Sequence, residues 1–443
     1  MNQRRLGAIS ARIAAMVASV ALAAACADAG DTGGSGADGG LNDSAAQDGG
    51  ANADGSADGS ADGSADADQE TSGGDAVPDA KADIAEIADD SADGTDAADA
   101  GGSAEPKPPA ALLPWSGVWR SNFGSLETIG AYRWLSKGDG WSASAVIATW
   151  DAAKGYVIIQ RPKDDKYNPS KFARIDVATV GEGAAAFCES QSGLATASAA
   201  VAASGKSDPK DLDGKGCGGF PWTRMTRPEP AGLWESAFGG VERFDAERMG
   251  WAQAVSWDNA KRVAISRNAM DDAFNPGKYN RVVWTPVKDG AFHYCVVAFG
   301  KDSAQLAESA TETADAKDVD GKGCGGFPWT RLSALAVQGA YTTPFGTLEH
   351  IDGMAWSFAW LRDFNNQKRT AILQSPADDP YTPNQFARVA WTAPAAGSFH
   401  FCIEVFGKAT AKEAADAPSA ADAKDLSGKG CGGFPWTLAS APK

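Results

Sequence analysis

The block Gly-Lys-Gly-Cys-Gly-Gly-Phe-Pro-Trp-Thr occupies residues 214–223 and recurs unchanged at 321–330 and 428–437. Successive copies are therefore 107 residues apart. A second set of cysteines keeps the same period, each lying 29 residues before the cysteine of its block: Cys188, Cys295 and Cys402. Such regular self-similarity indicates three tandem copies of one structural unit.

Outward from the block, the rest of each copy also repeats. Each copy opens with a Gly-x-aromatic segment followed by Phe-Gly-x-x-Glu, and its centre carries an aromatic residue beside Asn-Pro or Thr-Pro. These limits define three modules, at residues 113–226, 230–333 and 337–440. Because only a few residues separate consecutive modules, we expect them to touch end to end.

Each module has the pattern of an all-β fold. Short runs rich in Val, Ile, Trp, Phe and Tyr alternate with Gly, Pro, Asn and Asp, which is typical of strands and turns. The second copy contains seven such runs: 233–238, 241–244, 252–257, 262–267, 279–284, 292–299 and 327–332. About seven short strands in a module of this size predict a small antiparallel β-barrel or β-sandwich. The Ala-rich stretch 303–316 is predicted as a short helix or a loop.

The opening Gly-x-Trp and a closing strand with Trp-Thr-Arg, as in Trp329 to Arg331, resemble lipocalin-type barrels. In those barrels the Trp lies on the first strand and an Arg packs over it. The third copy has Tyr341 and Leu438 at the two positions. The resemblance covers about five residues a module and implies no function here.

The cysteines predict one disulfide in each module. Six cysteines permit 15 pairings, but the repeat favours the three intramodular ones: Cys188–Cys217, Cys295–Cys324 and Cys402–Cys431. A zinc site is disfavoured because each module offers two cysteines, no Cys-x-x-Cys and no regular histidine. An exported chain, which the N-terminus predicts, also favours disulfides because such bonds persist in oxidising compartments.

The first 26 residues predict export. Basic residues precede an apolar stretch from Ala14 to Ala25, which is the length and order of a signal peptide. The segment Leu22-Ala-Ala-Ala-Cys26 resembles the lipobox of bacterial lipoproteins, which implies lipidation of Cys26 and, since Ala27 follows, an outer-membrane lipoprotein on the periplasmic or cell-surface side. An ordinary Ala-x-Ala cleavage site is the alternative.

Residues 27–110 read as a disordered, acidic linker of Gly, Ala, Asp and Ser. They hold 21 acidic and 2 basic residues and no aromatic residue, so they cannot bury enough apolar surface to fold. The linker therefore has a balance of −19, which accounts for the net charge of the chain, −17, and leaves the modules near neutrality. A near-neutral folded region argues against nucleic acid as a partner.

Two sets of charged residues recur as candidate sites. A glutamate and an arginine in each module are candidates for clamping a polar ligand, or else for a structural pair: Glu127, Glu242, Glu349, Arg174, Arg281 and Arg388. Aspartates before the second cysteine are weak candidates for calcium, which prefers oxygen ligands: Asp208, Asp211, Asp213, Asp315, Asp318 and Asp320. An acidic turn is the alternative, and no other metal or cofactor is predicted.

The sequence shows no catalytic motif, and we assign no catalytic residue. The leading hypothesis is a lipid-anchored bacterial envelope protein whose three modules form a non-catalytic binding array, with a cell-surface polysaccharide or an envelope protein as the partner. Linked weak sites would gain avidity. A passive stalk lipoprotein and a secreted hydrolase are the alternatives.

Overall fold

The computed structural model describes residues 105–442. Within this range each copy is an all-β module, as predicted, and the barrel is the correct alternative: each module closes into an eight-stranded antiparallel barrel in which neighbouring strands follow chain order. The predicted signal peptide, Cys26 and the linker up to residue 104 lie outside the described residues.

The elements repeat from barrel to barrel. Barrel 1 consists of β1 Gly117–Ser121, β2 Leu126–Ile129, β3 Arg133–Gly138, β4 Trp141–Asp151, β5 Tyr156–Gln160, β6 Phe172–Gly181, β7 Ala184–Leu194 and β8 Thr223–Thr226. Barrel 2 consists of β9 Gly232–Ser236, β10 Val241–Phe244, β11 Arg248–Gly250, β12 Ala252–Asp258, β13 Val263–Arg267, β14 Tyr279–Trp284, β15 Ala291–Lys301 and β16 Thr330–Ser333. Barrel 3 consists of β17 Gly339–Thr342, β18 Leu348–Ile351, β19 Ala355–Trp356, β20 Ala359–Asn365, β21 Thr370–Gln374, β22 Phe386–Trp391, β23 Ser398–Lys408 and β24 Thr437–Ser440. One short helix follows the seventh strand of each: α1 Ala197–Ala202, α2 Ala304–Glu308 and α3 Ala411–Asp416.

Seven strands were predicted for the second copy, and the eighth is β11, Arg248–Gly250. Three residues are too few to show an alternating pattern, which is why the sequence did not reveal this strand. Closure comes from the first and last strands: in barrel 2, Leu332 pairs with Ser236. With every edge strand paired, no edge is left open.

Aromatic side chains fill the barrel interiors. In barrel 2, Phe292 packs edge-on against both Trp234 and Phe244, with ring centroids 4.8 and 5.2 Å apart. Trp119 and Trp150 lie in the corresponding core of barrel 1. Small barrels are filled by side chains in this way.

The repeated block closes the loop between the seventh and eighth strands. All three predicted disulfides are present, the first joining Cys188 on β7 to Cys217. Gly219, at φ +104°, takes a turn conformation that residues with a side chain rarely adopt. Trp222 packs against the disulfide, whereas Phe220 is exposed. The block therefore fixes one buried and one displayed aromatic residue.

The three barrels form a closed cluster and not the end-to-end row expected from the short linkers. Arg120 of barrel 1 donates hydrogen bonds to backbone carbonyls of β12 in barrel 2. The Leu233 amide of barrel 2 donates to the Gly353 carbonyl of barrel 3 at 2.8 Å. Barrel 3 also contacts barrel 1, because the Tyr132 hydroxyl of barrel 1 donates to His350 Nδ1 of barrel 3 at 2.8 Å. A short linker limits how far apart two modules lie but not the direction in which they pack.

The centre of the cluster is apolar. Val118, Ala246 and Met354, one from each barrel, form a single buried cluster. The chain ahead of β1 also joins this region, because the Pro109 carbonyl accepts a hydrogen bond from His350 Nε2 at 2.8 Å. Residues at the end of the predicted linker thus pack on the barrels. Among the described residues, no helix is long and apolar enough to cross a membrane.

Candidate functional site

The two ends of each barrel differ in their surroundings. In an up-and-down barrel the loops alternate between ends, so the loops after the first, third, fifth and seventh strands share one end. The linkers 227–231 and 334–338 join the barrels at the opposite end. These four loops therefore lie at the end of each barrel that is opposite the linkers.

Every one of those four loops carries an aromatic side chain in or beside its turn, and we call these twelve residues the aromatic rim. They are Phe123, Trp141, Tyr167 and Phe220 in barrel 1, Phe238, Trp251, Phe274 and Phe327 in barrel 2, and Phe345, Phe358, Tyr381 and Phe434 in barrel 3. All but Phe434 are exposed, from 42% for Phe358 to 90% for Phe274. Isolated exposed apolar residues are ordinary, but the same four loops in three copies form a repeated surface.

In three of the four loops of each barrel, the rim residues are held by backbone hydrogen bonds. In the remaining loop of barrel 3, the ring of Phe358 stacks on Tyr132 of barrel 1, with centroids 4.0 Å apart. The amides of Tyr167, Phe274 and Tyr381 each donate to an aspartate two residues earlier, at 2.9 to 3.0 Å. The amides of the Phe-Gly turns donate to a Ser or Thr hydroxyl at 3.2 to 3.3 Å. In each disulfide loop, the Phe amide donates to the cysteine carbonyl at 3.0 Å. These anchors pre-organise the rings, which lowers the entropy lost when a ligand binds.

The candidate glutamates lie inside the barrels, below the rim. Glu127 is buried and accepts hydrogen bonds from Ser125 and from Trp134 Nε1, at 2.8 and 2.9 Å. Glu242 and Glu349 are half-buried. Burial raises the pKa of Glu242, and it raises the pKa of Glu349 to about 7 despite a hydrogen bond from Ser357.

The candidate arginines lie outside the barrels, so the structure does not join them to the glutamates. Arg174 pairs with Asp176 at 2.8 Å and donates to carbonyls at the end of α1. Arg388 pairs with Glu404 at 2.6 Å and donates to the Ala415 carbonyl of α3. Arg281 donates to the carbonyl of residue 310, after α2. Each arginine fastens a helix end to the barrel wall.

The candidate calcium residues bind their own loop. Asp208 and Asp211 accept backbone amides of Lys210 and Lys215, at 2.9 and 2.8 Å, and the second copy repeats this arrangement at Asp315 and Asp318. A salt bridge joins Asp213 to Arg224 at 2.7 Å. Asp320 is exposed in the same turn of the second copy. Residues 105–442 contain no group of three or more His, Cys, Asp or Glu placed to hold a metal.

The lipocalin-like features are met in part. Trp119 lies on the first strand of barrel 1, and a guanidinium stacks over it at 4.0 Å. That group belongs to Arg227, beyond the closing strand, whereas Arg224 on the closing strand pairs with Asp213. In barrel 2, Arg331 binds Ser333 instead. Comparison with protein-family models, curated protein sequences and solved structures gives no significant match to this chain.

The sequence contained a signal for the rim that strand patterns do not use. Rim residues stand next to turn formers, as in Phe123-Gly, Gly-Phe220-Pro and Tyr167-Asn-Pro, and not at alternating strand positions. The hairpin after the third strand is eight residues longer in copy one, so Trp141 and Trp251 do not align when the copies are compared. The repeat therefore does not reveal the aromatic residues of this hairpin.

Proposed function

We propose that this protein is an exported, lipid-anchored envelope protein whose three barrels bind a cell-surface polysaccharide through their aromatic rims. The observation that carries the proposal is the repeated display of backbone-anchored aromatic rings at one end of every barrel. The three disulfides support the exported part of the proposal, since such bonds persist in oxidising compartments. The proposed role is non-catalytic.

Carbohydrate is favoured over a flat apolar partner by the chemistry around the rings. The rim loops interleave rings with charged groups, for example Lys166 at 5.3 Å from the ring of Tyr167. A sugar ring offers both an apolar face, which stacks on aromatic side chains, and hydroxyls, which bond to carboxylates and amines. Glu242 and Glu349, half-buried beneath the rims, supply further acceptors.

Three equal rims favour a polymer over a single sugar. A repeating ligand reaches more than one barrel, and linked sites raise the overall affinity by about 10²–10⁴-fold when geometry permits. A passive stalk needs only core-facing aromatic residues, so the exposed rims argue against that alternative.

The test is retention on immobilised envelope polysaccharides by the secreted Cys26→Ser protein. We expect retention, and we expect combined Phe238→Ser, Phe274→Ser and Phe327→Ser substitutions to weaken it at least tenfold through lost avidity. Val180→Ser, an exposed apolar residue on β6 outside the rim, is the matched control. Equal retention of the rim variant and the control would contradict the proposal.

Lipid anchoring is tested separately in cells. We expect the wild-type chain to incorporate a labelled fatty acid and to fractionate with membranes, whereas Cys26→Ser releases it in soluble form. Multiple acyl chains anchor firmly because each buried CH₂ contributes roughly 0.8 kcal/mol. A soluble, unlabelled wild-type protein would favour ordinary signal-peptide cleavage.

A further inference from the structure

A cleft of about 490 Å³ opens where the three barrels meet, and no rim residue lines it. Leu135 of barrel 1, Leu233 of barrel 2 and Trp360 of barrel 3 all line it. Its volume lies in the range of about 300–1,000 Å³ that holds small ligands. No single barrel forms this central cleft, so it exists only through the packing of the cluster.

The floor of the central cleft is apolar. Leu233, Met354 and Trp360 are each at most 8% exposed, and Leu361 beside them is almost fully buried. Trp360 is fixed in place by its packing against Gly130 of barrel 1, where an added Cβ would lie 3.0 Å from the indole. A rigid apolar floor suits a hydrocarbon chain, whose burial gains about 0.8 kcal/mol per CH₂.

The lip of the cleft carries three arginines and one glutamate: Arg243, Arg248, Arg362 and Glu247. Arg243 already has carboxylate partners, since it pairs with the buried Asp245 and, at 3.0 Å, with Glu247. The net charge left at the lip comes from the other two arginines.

Within residues 105–442, neither Arg248 nor Arg362 has a carboxylate partner. Arg362 Nε donates to the Gln374 side chain at 2.8 Å, and Arg248 Nη1 donates to the Trp251 carbonyl at 3.2 Å. Burial lowers the pKa of Arg362, and the charge of Arg243 lowers it further. An anion at this point would offset that repulsion.

We propose that the central cleft binds a single-chain alkyl carboxylate, with its chain on the Leu233–Met354–Trp360 floor and its carboxylate between Arg248 and Arg362. Planar guanidinium groups match a carboxylate with paired hydrogen bonds. A monoanion with one chain is the smallest ligand that uses both the floor and the lip. This site is separate from the rims and does not depend on polysaccharide binding.

The experiment is calorimetric titration of the secreted Cys26→Ser protein with monomeric dodecanoate. We expect one dodecanoate per chain, and about tenfold weaker binding in Arg362→Gln and in Arg248→Gln, since hydrogen bonds to charged groups are the strong ones. Arg331→Gln, an exposed arginine of barrel 2 outside the cleft, is the matched control and should bind as the unsubstituted protein does.

Arg248 is exposed on the lip, so Arg248→Gln tests the site even if Arg362→Gln destabilises the fold. Dodecanol and dodecyltrimethylammonium, which share the chain but lack the anion, should bind at least tenfold more weakly. Equal binding of all three ligands, or unchanged dodecanoate affinity in both arginine variants, would overturn the proposal. The rim variant should keep dodecanoate binding, which separates this proposal from the polysaccharide one.

Discussion

The rim end and the linker end of each barrel come from the same repeat, but they differ in how far the three copies keep the same residues. At the rim end an aromatic residue holds the same position in all three copies, as Phe123, Phe238 and Phe345 do. At the linker end the chain departs from the repeat: Gly130 stands where the other copies have Asp245 and Asp352. Every rim residue except Phe434 is exposed, and the ring of Phe358 also stacks on Tyr132 of barrel 1, whereas the linker ends meet different neighbours.

The contacts at the linker end explain this divergence. Asp352 accepts a hydrogen bond from Ser116 of barrel 1 at 2.6 Å, and Gly130 leaves space for the Trp360 ring. Each of these contacts joins one barrel to one particular neighbour. The same residue at all three matching positions could not make them. One end of the repeat is therefore specialised for assembly, and the other end keeps a surface that the three copies share.

The largest effect is expected at the rim end, from loss of a disulfide. Replacing Cys295 and Cys324 with serine removes a cross-link between residues 29 apart, which in the chain-entropy model lowers the free energy of unfolding by about 3.5 kcal/mol. Chemical denaturation measures the loss. If stability were unchanged, the disulfide would not hold the rim loop, and the rim would not be pre-organised.

A pH dependence is expected from Glu349, below the rim of barrel 3. Its pKa rises from 4.5 to about 7 in the native state because the surrounding protein removes water from the carboxyl group. Between these values the unfolded chain loses the proton and the native chain keeps it, so stability falls as pH rises, by about 3 kcal/mol.

The comparison of Glu349→Gln with the unsubstituted protein isolates this effect. Burial lowers the pKa of His350, so this residue makes stability rise with pH and partly offsets the effect of Glu349. The stability of both proteins is therefore measured by denaturation from pH 4 to 8, and the two profiles are compared. We expect Glu349→Gln to show a smaller decline, since burial also raises the pKa of Glu242 and of Asp352, whereas Glu308→Gln on exposed α2 keeps the full decline. An unaltered pH profile in Glu349→Gln would contradict this assignment.

A smaller effect is expected at the linker end, from Asn366. Its side chain donates to the Ala334 carbonyl at 2.9 Å and accepts the Ala336 amide at 2.8 Å, which fixes the linker between barrels 2 and 3. Asn366→Ala should lower stability by about 1–2 kcal/mol, since it leaves linker groups unpaired. Lys368→Ala, two residues away and exposed, is the control and should change thermal unfolding little.

The smallest effect on stability is expected at the rim itself. Phe274→Ser removes a ring that is 90% exposed, so the free energy of unfolding should change by less than about 0.5 kcal/mol. Truncation of the buried Phe292 to alanine, by contrast, should lower it by about 3 kcal/mol or more. A large loss in Phe274→Ser would mean that the rim stabilises the barrel, and the binding interpretation would weaken.

Much of the fold was predictable because its signals are local. The disulfides follow from a repeat that pairs cysteines within each copy, as Cys402 and Cys431 show. Most strands of the second copy follow from alternation, although Arg248–Gly250 was too short to show it. The proposed sites were harder to predict from the sequence. Strand alternation shows which residues share a face, but it does not show that Glu127 faces the core while Arg174 binds a helix outside the barrel.

The sequence by itself determined the all-β class, the threefold repetition and the cross-links, because periodicity and cysteine spacing are properties of the chain. Only the tertiary structure decided that the barrels close into a cluster, that four loops of each barrel place their aromatic rings at one end, and that Arg248 and Arg362 line one cleft. The physical reason is distance: these arrangements depend on contacts between residues far apart in the chain, and such contacts leave no periodic trace in the sequence.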